Sequence, residues 1–310
     1  MAQNNFNDWI PEEWGGAVIQ RVNQTSAVEA LARREPMGTD AKNVLRSAGV
    51  GVSAVAKGAA YTEDTSVNDD VTLTARKFGQ AIRIADEDMK DTSGVVNIIA
   101  TKQLDWATSY AKFIDNATLA TSAASNGTTV PFNSVYYALT QTNSDTSYTA
   151  NANLTQTGSA SVTYDNLSEA LGDYEEGDFF DESFTRVVAH PYFRRALRGI
   201  KDDQGMPIFV RGQGGDAGTP DTVFGHPVTW SNGCRLSATA TSAPAGNPIM
   251  VFGNMQYLIL GVRSGPESMT AGADTGVGFL TDDAILKMRA RRGFVVGHEK
   301  AFSVLEDNSL

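Results

Sequence analysis

The sequence predicts an α+β fold, because three kinds of pattern follow one another along it. Two stretches of strand formers, GVGVSAVAKGAAY and VTLTARKFGQAIRI, are separated by the polar TEDTSVNDD. One long run then places Val95, Ile98, Ile99, Trp106, Tyr110, Phe113, Ile114 and Ala117 near helical spacing. After it, short apolar runs such as PIMVFG, YLILGVR and ILKMRARRGFVV alternate with Gly- and Pro-rich turns, the signature of strands in a mixed lobe.

Residues 1–48 read as an arm, carrying Trp9, Pro11, Trp14, Gly15 and Gly16 ahead of a weakly periodic stretch through Val18, Val22, Val28 and Leu31. Apolar anchors on a segment too short for its own core suggest docking, either on the parent domain or on another subunit. Residues 49–90 read as a long β-ribbon whose arms, of about ten residues each, reach on the order of 30 Å. An isolated two-stranded ribbon is marginal in water, and this one has few large apolar side chains, so it is expected to lie against a neighbouring subunit. Lys57, Tyr61, Arg76 and Lys77 are the side chains it would offer there.

The helix that follows is expected to span Val95 to Thr121, roughly 40 Å, after an N-cap region at Asp91, Thr92, Ser93 and Gly94. Residues 122–162 are dominated by Ser, Thr, Asn and Gly, with one apolar island at Phe132, Val135, Tyr136 and Tyr137. They read as an exposed insertion of hairpin or irregular loop within the 91–165 segment. The lobe at 166–262 opens with a second helix, Asn166 and Glu169 forming a capping box and Leu167, Ala170, Leu171 and Tyr174 its apolar stripe. Phe184–Ala189 reads as a buried strand, His190–Pro191 opens the helix YFRRALRGI, and short strands are expected at Pro207–Arg211 and Val228–Trp230. Closing strands fill 263–310.

With 310 residues the chain can bury a sizeable core in one or two lobes. Its 25 Lys and Arg stand against 36 Asp and Glu, and a net charge of −11 opposes broad attachment to phosphate backbones. The single cysteine, Cys234, excludes intrachain disulfides and multi-cysteine metal sites, and reads as a semi-buried small residue. The opening MAQNNFNDWIPEEWGG has neither a basic n-region nor an apolar h-region, and no run approaches the roughly 18 apolar residues of a membrane span. Synthesis in a cytoplasm, with no membrane partner, is the expectation.

Catalytic signatures are scarce. His190 and His226 each precede a proline, and His298 has no partner at metal-ligand spacing. Gly49-Val50-Gly51 and Gly212-Gln213-Gly214 lack the following amphipathic helix that a phosphate site needs. The acidic groups at 86–88, 202–203 and 282–283 lack calcium-loop spacing. No enzyme, cofactor or metal is therefore expected. In ILKMRARR the strand period sets Lys287, Arg289 and Arg291 on one face, opposite Leu286, Met288 and Ala290. That basic face suits acidic groups of a neighbouring subunit, DNA or plain solvent.

The order of elements is itself a motif: arm, ribbon, long helix, a lobe with VVAHPYFRRALRGIKDDQG and VFGHPV, then AILKMRARRGFVVGHEKAFSVL. It resembles the Hong Kong 97-type fold of the major capsid proteins of tailed double-stranded-DNA bacteriophages. The closing pattern, Asp282, Asp283, Arg289, Arg291, Gly293, Phe294, Ala301 and Phe302, carries the resemblance furthest. The resemblance implies that the ribbon is an E-loop, the long helix the spine of a P-domain, and the middle lobe an A-domain. It further implies self-assembly into pentamers and hexamers of an icosahedral head enclosing the genome. It leaves room for a separate scaffolding protein, a portal and decoration proteins. Certain relatives link an E-loop lysine to an asparagine of a neighbour; Lys57 and Lys77 stand on the two arms, and no asparagine or assisting acid here matches that motif. An encapsulin-like nanocompartment shares the fold and is the alternative.

Overall fold

The structure, a computed structural model, describes residues 24–47, 49–63, 68–92, 97–201, 204–205, 222–272 and 281–309. Half of the expected arm, with Trp9 and Trp14, and the strand expected at Pro207–Arg211 lie outside these residues. The chain falls into two compact units. One contains Gly79–Thr108 and Pro266–Arg289; the other contains Gln24–Phe78, Ser109–Gly265 and Ala290–Leu310.

In chain order the elements are α1 (Ala27–Leu31), β1 (Arg33–Pro36), β2 (Ala41–Arg46), β3 (Asp69–Thr74), β4 (Arg76–Ala85), α2 (Asp86–Thr92) and α3 (Ile98–Asp115). There follow α4 (Val135–Thr140), β5 (Leu154–Gln156), α5 (Tyr164–Glu175), β6 (Thr185–Ala189) and α6 (Phe193–Gly199). The last are β7 (Thr222–Val223), β8 (His226–Trp230), β9 (Ile249–Asn254), β10 (Leu258–Ala271), β11 (Asp283–Val296) and β12 (Phe302–Glu306). Among the described residues three sheets result: β1-β10-β11-β4, β5-β12-β9-β6-β8-β7 and the pair β2-β3.

The six-stranded sheet is buried on both faces, which is why β9 and β12 read as continuous apolar runs rather than alternations. Val187, Ala189, Met250, Phe252 and Leu305 turn to α5 and α6, whose Leu167, Ala170, Leu171, Tyr174, Phe193 and Leu197 cover them. Val188, Ile249, Val251, Phe302 and Val304 face the other way, onto Leu119, Phe132, Val135, Leu139 and Tyr148. Each such side chain contributes about 1.5–3 kcal/mol by leaving water. Gly253 is needed in β9 because a Cβ there would lie 2.3 Å from the Phe302 ring.

Several expectations are corrected. The first arm of the ribbon is β2, not residues 49–61: Ala41 to Arg46 pair antiparallel with Thr74 to Asp69, and residues 49–63 carry no strand. The pairing is decided by the inner face, where Val44 and Leu73 meet Met37, Ile259 and Val295. The Gly- and Ala-rich 49–61 has little to bury in that position. The long helix reaches Ala120, one residue short of the expected end, but changes its hydrogen bonding on the way. α3 covers 18 residues, about 27 Å, and passes into a π-helical segment, Asn116–Ala120. The Asn116 side chain there donates to the carbonyls of Gly233 (3.1 Å) and Arg235 (2.8 Å) and accepts from the Thr241 amide (3.1 Å).

The polar stretch 122–162 is not a detached insertion. Val130, Phe132, Val135, Leu139 and Tyr148 are buried, and β5 pairs in parallel with β12, so the apolar island belongs to the main core. The capping box of α5 lies one turn earlier than expected, with Thr163 and Asn166 as the reciprocal pair. The stripe Leu167, Ala170, Leu171 and Tyr174 is buried as its spacing requires, and Cys234 is fully buried.

Candidate assembly surfaces

In the ribbon β2–β3 the inward residues Lys42, Val44 and Arg46 stand opposite Leu73, Val71 and Asp69, while Ala41, Asn43, Leu45 and Asp70 face solvent. The last pair is an ionic clasp. Arg46 donates through Nε to Asp69 Oδ1 (2.9 Å) and through a second nitrogen to Oδ2, and its Nη1 reaches the Gly297 carbonyl at 3.3 Å. Arg46 holds the Asp69 carboxyl below the usual carboxylate range. Stability from the clasp is therefore present above the unfolded value near pH 4 and lost as pH falls through the lower folded value. Amide protection over 41–46 and 69–74, taken relative to the intrinsic exchange rate at each pH, is expected to stay high until the pH drops below about 4, and to be low already at neutral pH in Asp69→Asn. Equal protection of the two proteins at neutral pH would remove the clasp from the account.

At the clasp and beyond it the chain bears large apolar side chains in water. Leu45 is 85% exposed, Val50 78%, Val52 100% and Tyr61 85%. Lys57 begins the turn Lys57–Gly58, closed by an Ala59 N–H to Ala56 carbonyl hydrogen bond of 3.0 Å, with Gly58 at φ +84° as only glycine tolerates readily. Lys57 and Tyr61 thus share one exposed connection between β2 and β3. Arg76 and Lys77 lie on β4 instead: Lys77 is exposed, and Arg76 is partly buried with its guanidinium against Gly127.

The basic face of β11 alternates as predicted up to residue 290, Leu286, Met288 and Ala290 being buried and Lys287 exposed. Two of its three cations are met by acids of the same chain. Arg289 pairs with Glu267 at 3.1 Å and Arg291 with Asp40 at 2.7 Å. Such exposed pairs contribute at most about 1 kcal/mol each. They nonetheless leave Lys287 as the candidate of the three with no carboxylate within 4 Å among the described residues.

Sequence reading missed two buried polar centres. Arg292 breaks the alternation by falling on the apolar face; it is 6% exposed and donates to Glu29 Oε1 (2.9 Å) and the Ser264 carbonyl (2.6 Å). The Tyr110 hydroxyl donates to the same Glu29 oxygen at 2.8 Å, and burial together with Glu29 pushes its pKa well above the ordinary range. The second centre is Asp115, at the end of α3. It accepts from the Ser26 hydroxyl and the Val28 N–H on one oxygen, and from the Ala27 N–H and the Ser231 hydroxyl on the other. A cation in apolar phase and an acid inside an apolar stripe were the signals available for them.

No group of three or more His, Cys, Asp or Glu able to hold a metal occurs among the described residues, and no helix among them is long and apolar enough to cross a membrane. Residues 7–307 match the phage capsid family. The chain belongs to the phage capsid family. It is a major capsid protein, a structural subunit of a capsid shell, and the match does not favour the encapsulin-like alternative. No curated protein sequence matches this capsid protein. Among solved structures it is similar to a chain of Mycobacterium phage Bobi, with a TM-score of 0.73 and 15% identity over 98% of this chain and 97% of that one. A chain of the capsid of a native GTA particle gives a TM-score of 0.73 at 15% identity, over 99% of each chain. One of Mycobacterium phage Ogopogo gives 0.71 at 17%, over 99% and 100%. At these identities the likeness concerns the mixed helix-and-sheet fold of the capsid protein.

Proposed function

We propose that this capsid protein forms the pentamers and hexamers of an icosahedral phage head around double-stranded DNA, with the ribbon 41–74 acting as an E-loop laid over an adjacent subunit. The observation that carries this reading is the connection beyond Arg46 and Asp69, where Val50, Val52 and Tyr61 are exposed, next to the exposed Leu45 on β2, on a segment with no core of its own. Covering such side chains stabilises an assembly by about 1.5–3 kcal/mol each, repeated at every subunit. In the same reading α3 is the spine of a P-domain, the lobe at 166–262 an A-domain, and Lys287 a contact to a neighbour. The net charge of −11 suits enclosure of DNA without sequence-specific binding. Assembly in the host cytoplasm, with a separate scaffolding protein and with portal and decoration proteins as partners, completes the proposal.

The test is electron microscopy of the expressed chain beside the variant Val52→Glu/Tyr61→Glu. The parent is expected to form rings and closed shells. The variant is expected to stay folded and lose at least about tenfold in shell yield, the effect of one lost contact of some 1.4 kcal/mol. Shells of unchanged yield would reject the connection as an interface.

A further inference from the structure

Charge is segregated within the lobe that carries α5 and α6. From Tyr164 to Glu182 the chain has eight Asp or Glu and no Lys or Arg; from Ser183 to Lys201 it has five Lys or Arg and no Asp or Glu. Both helices bury their apolar stripes on the same face of the six-stranded sheet, so their charged sides both point outward. On α5, Asp165, Glu169, Asp173 and Glu176 follow at i, i+4, i+8 and i+11, a continuous acidic ridge. Like charges at this spacing repel and destabilise an isolated helix. Partial burial, with Glu169 and Glu176 nearby, raises the Asp173 carboxyl above the ordinary range. On α6, Phe193 and Leu197 face the sheet, leaving Arg195 and Arg198 exposed, with Lys201 just beyond. Among the described residues none of these three cations has a carboxylate within 4 Å, and no acid of the ridge has a cation within 4 Å.

We propose that the basic face of α6, Arg195, Arg198 and Lys201, docks on the acidic ridge of α5 in a second copy of this chain. The proposal rests on the capsomer reading above and names the contact that closes its rings. Charge complementarity selects the occupant. Within one copy Asp165 lines the same cleft as Arg195 and Lys201, whereas Glu169, Asp173 and Glu176 have no cation within 4 Å among the described residues, so a contact between copies supplies their partners. Because the two halves are different surfaces, the contact is heterologous, and a heterologous contact that closes generates a cyclic ring. The cations at 195, 198 and 201 advance in steps of three residues, and the acids at 169, 173 and 176 in steps of three to four. On the helices themselves Arg195 and Arg198 are about 4.5 Å apart along α6 and successive ridge acids about 4.5–6 Å apart along α5, with Lys201 past the end of α6 at Gly199. Complementary rows of this kind fix register and discriminate against wrong partners.

Three chains test the contact beside the parent: Arg195→Glu/Arg198→Glu, Glu169→Lys/Glu176→Lys, and the two combined. Each two-residue variant is expected to keep the parent's circular dichroism and lose its rings and shells. The combined chain, whose faces are again opposite in sign, is expected to regain them. Rings of the parent should also dissociate as NaCl rises from about 0.05 M to about 1 M, where the Debye length shrinks to about 3 Å. Two-residue variants that assemble like the parent, a combined chain no better than either, or parent rings indifferent to salt each overturn the contact alone. A parent that forms no rings overturns the capsomer reading and this contact with it.

Discussion

Replacing Asp115 by alanine is expected to destabilise the capsid protein by about 4 kcal/mol and to lower its melting temperature by roughly 10 °C. The carboxylate is fully buried and is the common acceptor for two backbone N–H groups and two hydroxyls. Removing it leaves the Ala27 and Val28 N–H groups, the open N-terminal donors of α1, without a partner in a dry interior. Each orphaned donor costs about 1–3 kcal/mol, and the cavity adds to that. It also severs the connection between residues 26–28, the end of α3 and Ser231. Asp115→Asn, which keeps one acceptor oxygen but adds an amide among donors, should lose about half as much. A melting temperature within about 1 °C of the parent in Asp115→Ala would falsify this role.

Acid is expected to weaken the same protein through His190. Burial, aided by the charge of Arg235, lowers the pKa of this imidazole to about 4. Its Nδ1 accepts the Tyr192 N–H at 3.1 Å just before α6, which requires that nitrogen to be unprotonated. The sign follows directly. The folded pKa lies below the unfolded value of 6.5, so the neutral-histidine contribution is complete above pH 6.5 and is lost as pH falls toward about 4. The difference of 2.5 units, 6.5 less 4, discounted for the solvent that reaches this partly exposed imidazole, corresponds to about 2 kcal/mol. Denaturant melts at pH 7 and pH 4.5 should differ by most of this amount in the parent. His190→Asn offers an acceptor that does not titrate, so its melts should show a clearly smaller difference. An equal pH dependence in both would assign the acid loss to other groups.

The parts of the fold legible in sequence were those set by local periodicity. The stripe of α5, the buried β6, β9 and β12, the helix opened after His190–Pro191, and the in–out alternation of β11 through Ala290 all lie where short-range spacing predicts them. In α5 and β11 one face is buried and a shift of one residue would turn it outward, while β6, β9 and β12 are buried on both faces and so read as short apolar runs. The buried Arg292 was missed, although a guanidinium in apolar phase requires a partner; that Glu29 and the Ser264 carbonyl supply it is decided far away in the chain.

By itself, then, the sequence determined the α+β class, the core-facing residues of most elements, the poverty of catalytic motifs, and an order of elements shared with a capsid family. Tertiary structure alone decided that β3 pairs with Ala41–Arg46 rather than with residues 49–61, and so that Val50, Val52, Lys57 and Tyr61 belong to an exposed connection. It likewise decided that the polar 122–162 segment shares the main core, and that Arg289 and Arg291 are engaged within their own chain while Lys287 stays exposed. The physical reason is common to all three. Strand partners, ion pairs and core neighbours are chosen between residues far apart in the chain, by which side chains can be buried or neutralised together. Local spacing states only that a partner is needed.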